Sequence, residues 1–325
     1  MKTALLVSLT LSLTLCAAGR ARAEDPPKAP AHPGMGDPAK VTLKTTPIAG
    51  NISLIEGANG FAGGNVAVIT GDDGLLVIDD ELEPLAPKLR TALAAFKKPV
   101  RFVVNTHWHS DHTGGNTTLG GGGAVIVAHY NVRKRLSTEQ FINMMGMKKT
   151  FPPSPAAALP VVTFNDDLTF FFGGDEIHVF HVAPAHTDGD SIVHFKKANV
   201  IHTGDTFVAG YPIVDAGSGG TLDGFVAAAD RVLAIADDAT KIIPGHGPVM
   251  TKTDLKEWRD MIVTVRERVA KLAAQKKTLA EIQAAKPTAE FDAKHQGMVT
   301  PDFFVELAYK AIPAAPAKAA GKHKK

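Results

Sequence analysis

From residue 41 onward apolar positions come in short runs with a period of two, and this pattern predicts strands at Val41–Thr45, Ile52–Glu56, Asn65–Thr70 and Gly74–Ile78. Turn residues separate them, as in Gly57-Ala58-Asn59-Gly60 and Asp72-Asp73-Gly74. Leu85, Leu89 and Leu93 then recur at helical spacing and predict a helix over Glu83–Phe96. Val100–Asn105 is apolar and rich in β-branched residues, the pattern of a strand buried inside a sheet. A strand at Ala124–Ala128 and a helix from about Asn131 follow. Phe141–Pro160 mixes Met, Lys and Gly with four prolines and predicts a long loop.

The second half repeats the logic. Strands are expected at Leu168–Phe172, Glu176–Val182, Ser191–Phe195, Val200–His202 and Lys241–Ile243, with a helix at Leu222–Ala236 before the last. Helices at Thr253–Gln275, Thr278–Ala285 and Asp302–Ile312 complete the reading. Strands followed by helices, twice over, predict an α/β fold: two sheets face to face with helices outside, a four-layer αββα sandwich, plus a helical C-terminal extension. The expected boundaries are a domain over 41–250, a helical segment over 251–312 packed on it, and an Ala/Lys-rich disordered tail over 313–325.

The amino-terminal region breaks the pattern. Lys2 precedes an apolar stretch from Ala4 to Ala18, and Ala21-Arg22-Ala23 fits a small-x-small cleavage site. Residues 1–23 therefore read as an export signal, too short to span a bilayer, and place the mature chain in the periplasm or outside the cell. Lipoprotein processing at Cys16 is the competing reading, with Leu15 standing where a small residue is expected. A Pro/Ala/Gly-rich flexible leader, 24–40, follows. Nothing later has the length of apolar sequence that crosses a bilayer, so no stable membrane insertion is expected.

Composition narrows the chemistry. The formal charge is +2, but without Lys2, Arg20 and Arg22 the 35 basic residues fall to 32 against 33 acidic ones. Such a balance gives no electrostatic footprint for nucleic acid; the expected partner is a small molecule. Cys16 is the only cysteine, so after cleavage no thiolate is left to act as ligand or nucleophile.

Against that background the run His107-Trp108-His109-Ser110-Asp111-His112 stands out. It begins where the strand Val100–Asn105 should end. Imidazole and carboxylate together suit zinc and related divalent ions. In a tight loop His107 and His109 point to one side, and Asp111 and His112 can face a second ion. Gly114-Gly115 lets the backbone turn beneath them. Four further motifs accompany the cluster: Val77-Ile78-Asp79, Ala185-His186-Thr187-Asp188-Gly189-Asp190, Thr203-Gly204-Asp205-Thr206 and Gly245-His246-Gly247.

These five motifs, in this order, resemble the metallo-β-lactamase superfamily, and the resemblance runs from about Val41 to Val249. It implies a first ion held by His107, His109 and His186, a second held by Asp111, His112 and His246, and Asp205 bridging both. It also implies a buried aspartate behind the metal loop. Asp79 is favoured over Asp80 because it adjoins the buried strand end. By contrast His178, His181, His194 and His202 alternate along expected strands and read as packed or surface residues. Phe61, within a glycine-rich flap over Gly57–Gly64, His129 and Tyr211 are candidate substrate contacts. Met144, Met145 and Met147 could form an apolar lid.

The implied cofactors are two zinc ions, with iron or manganese as substitutes. A shared water ionises near neutral pH between such ions, which also polarise a carbonyl or phosphoryl oxygen. Asp111 can accept a proton or orient the nucleophile. The expected activity is hydrolysis of an ester, thioester, lactone or amide, a β-lactam included. Aspartate stands where the best-known drug-hydrolysing enzymes of the family use cysteine, and no basic residue follows Asp205, so an enzyme of that type is disfavoured. Two alternatives stand: an iron-dependent oxidoreductase of sulfur dioxygenase or diiron type on the same fold, and a non-catalytic metal-binding protein.

Overall fold

A computed structural model describes residues 37–144 and 147–312, leaving the expected signal, most of the leader and the tail outside the described residues. Its first sheet begins with β1 (Thr42–Ala49), β2 (Ile52–Ala58), β3 (Val66–Thr70) and β4 (Leu75–Ile78), all antiparallel. A single turn at Glu83–Leu85 then leads into helix α1 (Ala86–Ala94). The helix expected from Glu83 starts later because Pro87 lacks the amide hydrogen that would bond Glu83 O and close the first α-turn. β5 (Val100–Asn105) lies parallel to β4. The short helices α2 (Ser110–Thr113) and α3 (Asn116–Gly121) follow, then β6 (Val125–His129) and α4 (Tyr130–Leu136).

The loop expected over Phe141–Pro160 is largely a hairpin, β7 (Gln140–Met144) and β8 (Met147–Phe151), and this corrects the reading. Met and Gly at the turn obscure its pattern. Ile142 is buried while Phe141 beside it faces solvent, the alternation of a strand with one covered face. Ile142 and Phe151 pack with Trp108, Val132 and Leu136. The side chains of Met144, Met145 and Met147, the expected lid, lie outside the described residues. A three-residue strand missed in the sequence, β9 (Val162–Phe164), pairs parallel to β6 and closes the first sheet in the order β1-β2-β3-β4-β5-β6-β9.

The second sheet runs β10 (Asp167–Phe172), β11 (Asp175–His181), β12 (Ser191–Phe195), β13 (Val200–His202) and β14 (Lys241–Ile243), antiparallel except for the parallel β13–β14 pair. Helix α5 (Leu222–Ile235) precedes β14, and α6 (Lys252–Ala274), α7 (Leu279–Ala284) and α8 (Pro301–Lys310) come after it. Thr251 and Asp254 form a reciprocal capping box that starts α6.

Three apolar layers hold this together. Ile52, Leu76 and Val104 of the first sheet meet Ile177, Val193 and Phe195 of the second, while Leu89 and Leu93 cover the first sheet's outer face. Phe225, Trp258, Ile262 and Phe304 cover the second. The result is the four-layer αββα sandwich with a helical C-terminal extension. The parallel pairs β4–β5 of the first sheet and β13–β14 of the second end at one edge, so the loops after them converge there. No helix among the described residues is long and apolar enough to cross a membrane.

The packing of the extension is testable. Trp258 is 1% exposed, and its Nε1 donates to Gly210 O at 2.8 Å. Trp258→Ala should lower unfolding free energy by roughly 3–5 kcal/mol. Ile235→Ala, at a 42% exposed position, should lose far less. Equal urea midpoints for the two variants would contradict this assignment of the core.

Candidate metal centre

The site begins with a strained residue. Asp79 follows β4 with φ of 60°, and its amide donates to Val104 O at 2.9 Å. Its buried carboxylate collects three hydrogen bonds: Thr106 N at 2.7 Å, Thr106 Oγ1 at 2.8 Å and His112 Nδ1 at 2.8 Å. A carboxylate only accepts, so His112 donates through Nδ1 and turns Nε2 into the site. Reciprocal amide bonds between Asn105 and Asn116, at 3.1 and 2.9 Å, brace the loop from below. Gly114 is required here: a Cβ would sit 2.2 Å from Glu83 N.

His186, His109 and His107 are oriented in a similar way. His186 donates from Nδ1 to Ile213 O at 2.6 Å, while the Asp190 carboxylate accepts from the amides of His186 and Thr187 at 2.7 and 3.0 Å. His109 donates from Nε2 to Asp215 Oδ2 at 2.9 Å, which brings its Nδ1 within 2.7 Å of His186 Nε2. Thr106 Oγ1 donates to Asp79 and so can receive from His107 Nδ1, 3.1 Å away. His107 Nε2 is left buried with no hydrogen-bond partner.

Carboxylates fill the space between the rings. Asp205 Oδ1 is 3.1 Å from His112 Nε2, and Oδ2 is 3.3 Å from His246 Nε2 and 3.5 Å from His186 Nε2. Asp111 Oδ2 is 3.3 Å from His246 Nε2. Gly245 permits this approach, since a Cβ there would lie 1.9 Å from Asp205 Oδ1. Nitrogens and oxygens of His107, His109 and His186, of His107, His112 and Asp205, and of Asp111, His112 and His246 form three groups whose atoms lie within 4.8 Å of one another. All seven expected ligands are therefore brought together, with Asp79 behind them.

The electrostatics are those of a cluster built around positive charge. Burial and the neighbouring His112 and His186 push His107 well below its ordinary value, so it stays neutral. Burial opposes protonation of His246 too, yet the Asp205 and Asp111 carboxylates push it up to about 9. Against burial, His246 and His112 hold Asp205 well below the usual carboxylate range. An orphaned, neutral ring nitrogen grouped with His112 and the Asp205 carboxylate fits a divalent cation; the donor set, imidazole and carboxylate, suits a borderline or hard ion.

Some residues were not foreseen. Asp215 lies in a loop far from the histidine run, and Asp190, although it closes the motif around His186, had no role assigned to it. Glu81 is wholly buried, and neither of its oxygens has a hydrogen-bond partner. Burial raises it to about 8 against the pull of His112 and His246. Of the three candidate substrate contacts, Phe61 joins the site: its ring stacks on His246 with centroids 5.5 Å apart. The flap around it is pinned by backbone bonds from Gly64 N to Asp111 O and from Asn65 N to Gly245 O, at 2.9 and 2.8 Å. His129 instead stacks on His181 at 3.8 Å and caps α4 through Asn131 N. Tyr211 packs on Phe304 and donates to Asp292 Oδ1 at 2.6 Å, inside the core of the extension. His202 bridges Asn65 O and Gly204 N at 2.9 and 3.2 Å, a packed residue.

The sequence model of the metallo-beta-lactamase superfamily matches residues 59–246, more than half of the chain. The chain belongs to this superfamily. It is similar to the mitochondrial hydroxyacylglutathione hydrolase of Saccharomyces cerevisiae, 31% identical over 180 residues that cover 51% of this chain and 55% of that protein. The chain spans about half the length of the curated relatives it matches. In structure it resembles a sec-alkyl sulfatase double mutant, with TM-score 0.61, 17% identity, 82% of this chain and 50% of the other covered. A metallo-beta-lactamase from Pontibacter korlensis gives TM-score 0.56 and 21% identity over 68% of this chain and 99% of its own. At such identities these structures speak for the fold alone.

Metal binding should depend on pH in a defined direction. His246 holds a proton up to about pH 9, and a bound ion must displace it. Apparent zinc affinity, measured by chelator competition, should therefore rise by up to about tenfold per pH unit from 6 to 9. Asp205→Ala, which removes a carboxylate favouring that proton, should flatten the slope while weakening binding. A pH-independent affinity would exclude His246 as a ligand.

Proposed function

We propose that this chain is an exported metal-dependent hydrolase acting on an ester, thioester, lactone or amide, with zinc as its first-choice metal and iron or manganese as substitutes. The observation that carries this reading is the buried His107 Nε2, without a hydrogen-bond partner and facing the same space as His112 and Asp205. His107, His109 and His186 would hold one ion and Asp111, His112 and His246 another, with Asp205 between them. Bound ions of this kind supply a water ionised near neutral pH and a positive charge for the oxyanion that develops on the substrate.

The chain's own groups do the rest. Asp79, Asp215 and the carbonyl of Ile213 fix three of the imidazoles, so that little reorganisation accompanies reaction. Asp111 Oδ2 reaches His246 Nε2 at 3.3 Å and is placed to accept a proton as the nucleophile is consumed. Phe61 stacks on His246 and limits the positions its ring can take. A cysteine nucleophile has no support, since Cys16 is the only cysteine in the sequence. The yeast relative is named for a thioester substrate, which falls within the proposed class.

Export to the periplasm or beyond is part of the proposal and rests on the residues up to Ala23. Amino-terminal sequencing of envelope-fraction protein should begin at Glu24; an intact Met1 would remove this element. For the chemistry, the decisive experiment is a panel of nitrophenyl esters, a thioester, a lactone and a β-lactam with zinc-, iron- and manganese-loaded protein. Asp205→Ala should reduce the best rate by about a hundredfold or more while circular dichroism stays unchanged. Oxygen consumption by the iron form with no hydrolysis of any panel member would overturn the reading.

A further inference from the structure

Beside His246 lies a cleft of about 310 Å³, at the small end of the range for ligand pockets. The Phe61 ring, stacked on His246, forms one wall, and Met298 forms another. Ala62 and Ala209 add small apolar surfaces, and several glycines contribute only backbone. Apart from His246, the one ionisable lining residue is Glu56. Its carboxylate is 3.7 Å from Lys44, which is not part of the lining. No Lys or Arg among the described residues lines the cleft.

Met298 is 56% exposed, a large apolar side chain left in water at the mouth of a cleft that reaches the candidate metal centre. It lies between α7 and α8, in the helical extension. That segment is fastened beside the site by the Tyr211–Asp292 hydrogen bond and by packing of Gln296 and Gly297 near Gly210. A thioether on a flexible stem suits an irregular apolar ligand. A carboxylate seated beside Met298 would lose water, meet no Lys or Arg in the lining and share the cleft with the Glu56 carboxylate.

We propose that this cleft seats the non-reacting chain of the substrate, that the chain is uncharged and apolar, and that Met298 determines this specificity. The inference rests on the hydrolase reading above and deepens it by naming the substrate class. It also accounts for the C-terminal extension, which supplies one wall of the binding site.

The test uses the zinc-loaded full chain with Met298→Ala and Met298→Lys, at an exposed position where neither change threatens the fold. Octan-1-ol, a neutral chain with no bond to hydrolyse, is titrated calorimetrically. Wild type should bind it, and Met298→Lys should weaken binding by about tenfold. In parallel, nitrophenyl hexanoate is compared with mono-nitrophenyl adipate, of equal carbon count but ending in a carboxylate. Wild type should favour the hexanoate in kcat/KM by about tenfold or more, and Met298→Lys should erase or invert that preference. Octanol binding that is absent, or equal in wild type and Met298→Lys, overturns the proposal. Binding that depends on residue 298 without hydrolysis of any ester upholds the apolar cleft and sinks the hydrolase reading instead.

Discussion

The buried carboxylate of Asp79 is the constraint on which the site depends. Three hydrogen bonds end on it, two from Thr106 and one from His112, and all are shut away from water. Through them the end of β4 dictates how the chain leaves β5 and which nitrogen His112 presents. A charge in such a place is tolerable only when it is fully hydrogen-bonded. The left-handed backbone at Asp79 costs energy that the surrounding bonds must offset, and that strain sits where ligand geometry is set.

The same logic spreads outward. Ile213 O, Asp215 and Thr106 do for His186, His109 and His107 what Asp79 does for His112: each occupies the outward ring nitrogen and commits the inward one. Four committed nitrogens, with His246 and two carboxylates, then face one small volume. Without a cation, His246 and His112 carry protons that the carboxylates attract, while burial keeps His107 neutral. Protons are therefore stand-ins for metal in this cluster. Such protons offset the carboxylate charges that a bound ion would otherwise neutralise, which is why acid is expected to compete with ion binding.

Much of this was legible in the chain because it is local. Four ligands fall within six residues, and His186, Asp205 and His246 each follow a run that reads as a strand ending. The sheets were legible for a similar reason, since each strand alternates or is apolar throughout. What could not be read was relational. Asp215 and Asp190 are ordinary turn residues until the fold sets them against His109 and His186. Glu81, in the run Asp79-Asp80-Glu81, is wholly buried, and nothing local in the sequence marks it as such. The β7–β8 hairpin hid because its evidence is one buried Ile142 and a distant Trp108, not a repeating pattern. Tyr211 reads as a candidate substrate contact in the sequence, yet its hydroxyl points to Asp292 in the extension.

That last displacement shows how the extension and the site are joined. Trp258 of α6 holds Gly210 O, and Asp292, between α7 and α8, holds the Tyr211 hydroxyl, so two successive residues are anchored in the extension that follows the sandwich. The segment they anchor runs from Asp205, between the rings, to Ile213, whose carbonyl orients His186. Loops carrying ligands are ordinarily the least constrained part of such a fold. Here the extension clamps that loop from outside and, in the same stretch, places Gly297 and Met298 at the cleft beside His246. One packing interface thus sets ligand orientation and cleft shape together, so the helices act on the chemistry without contributing a metal ligand.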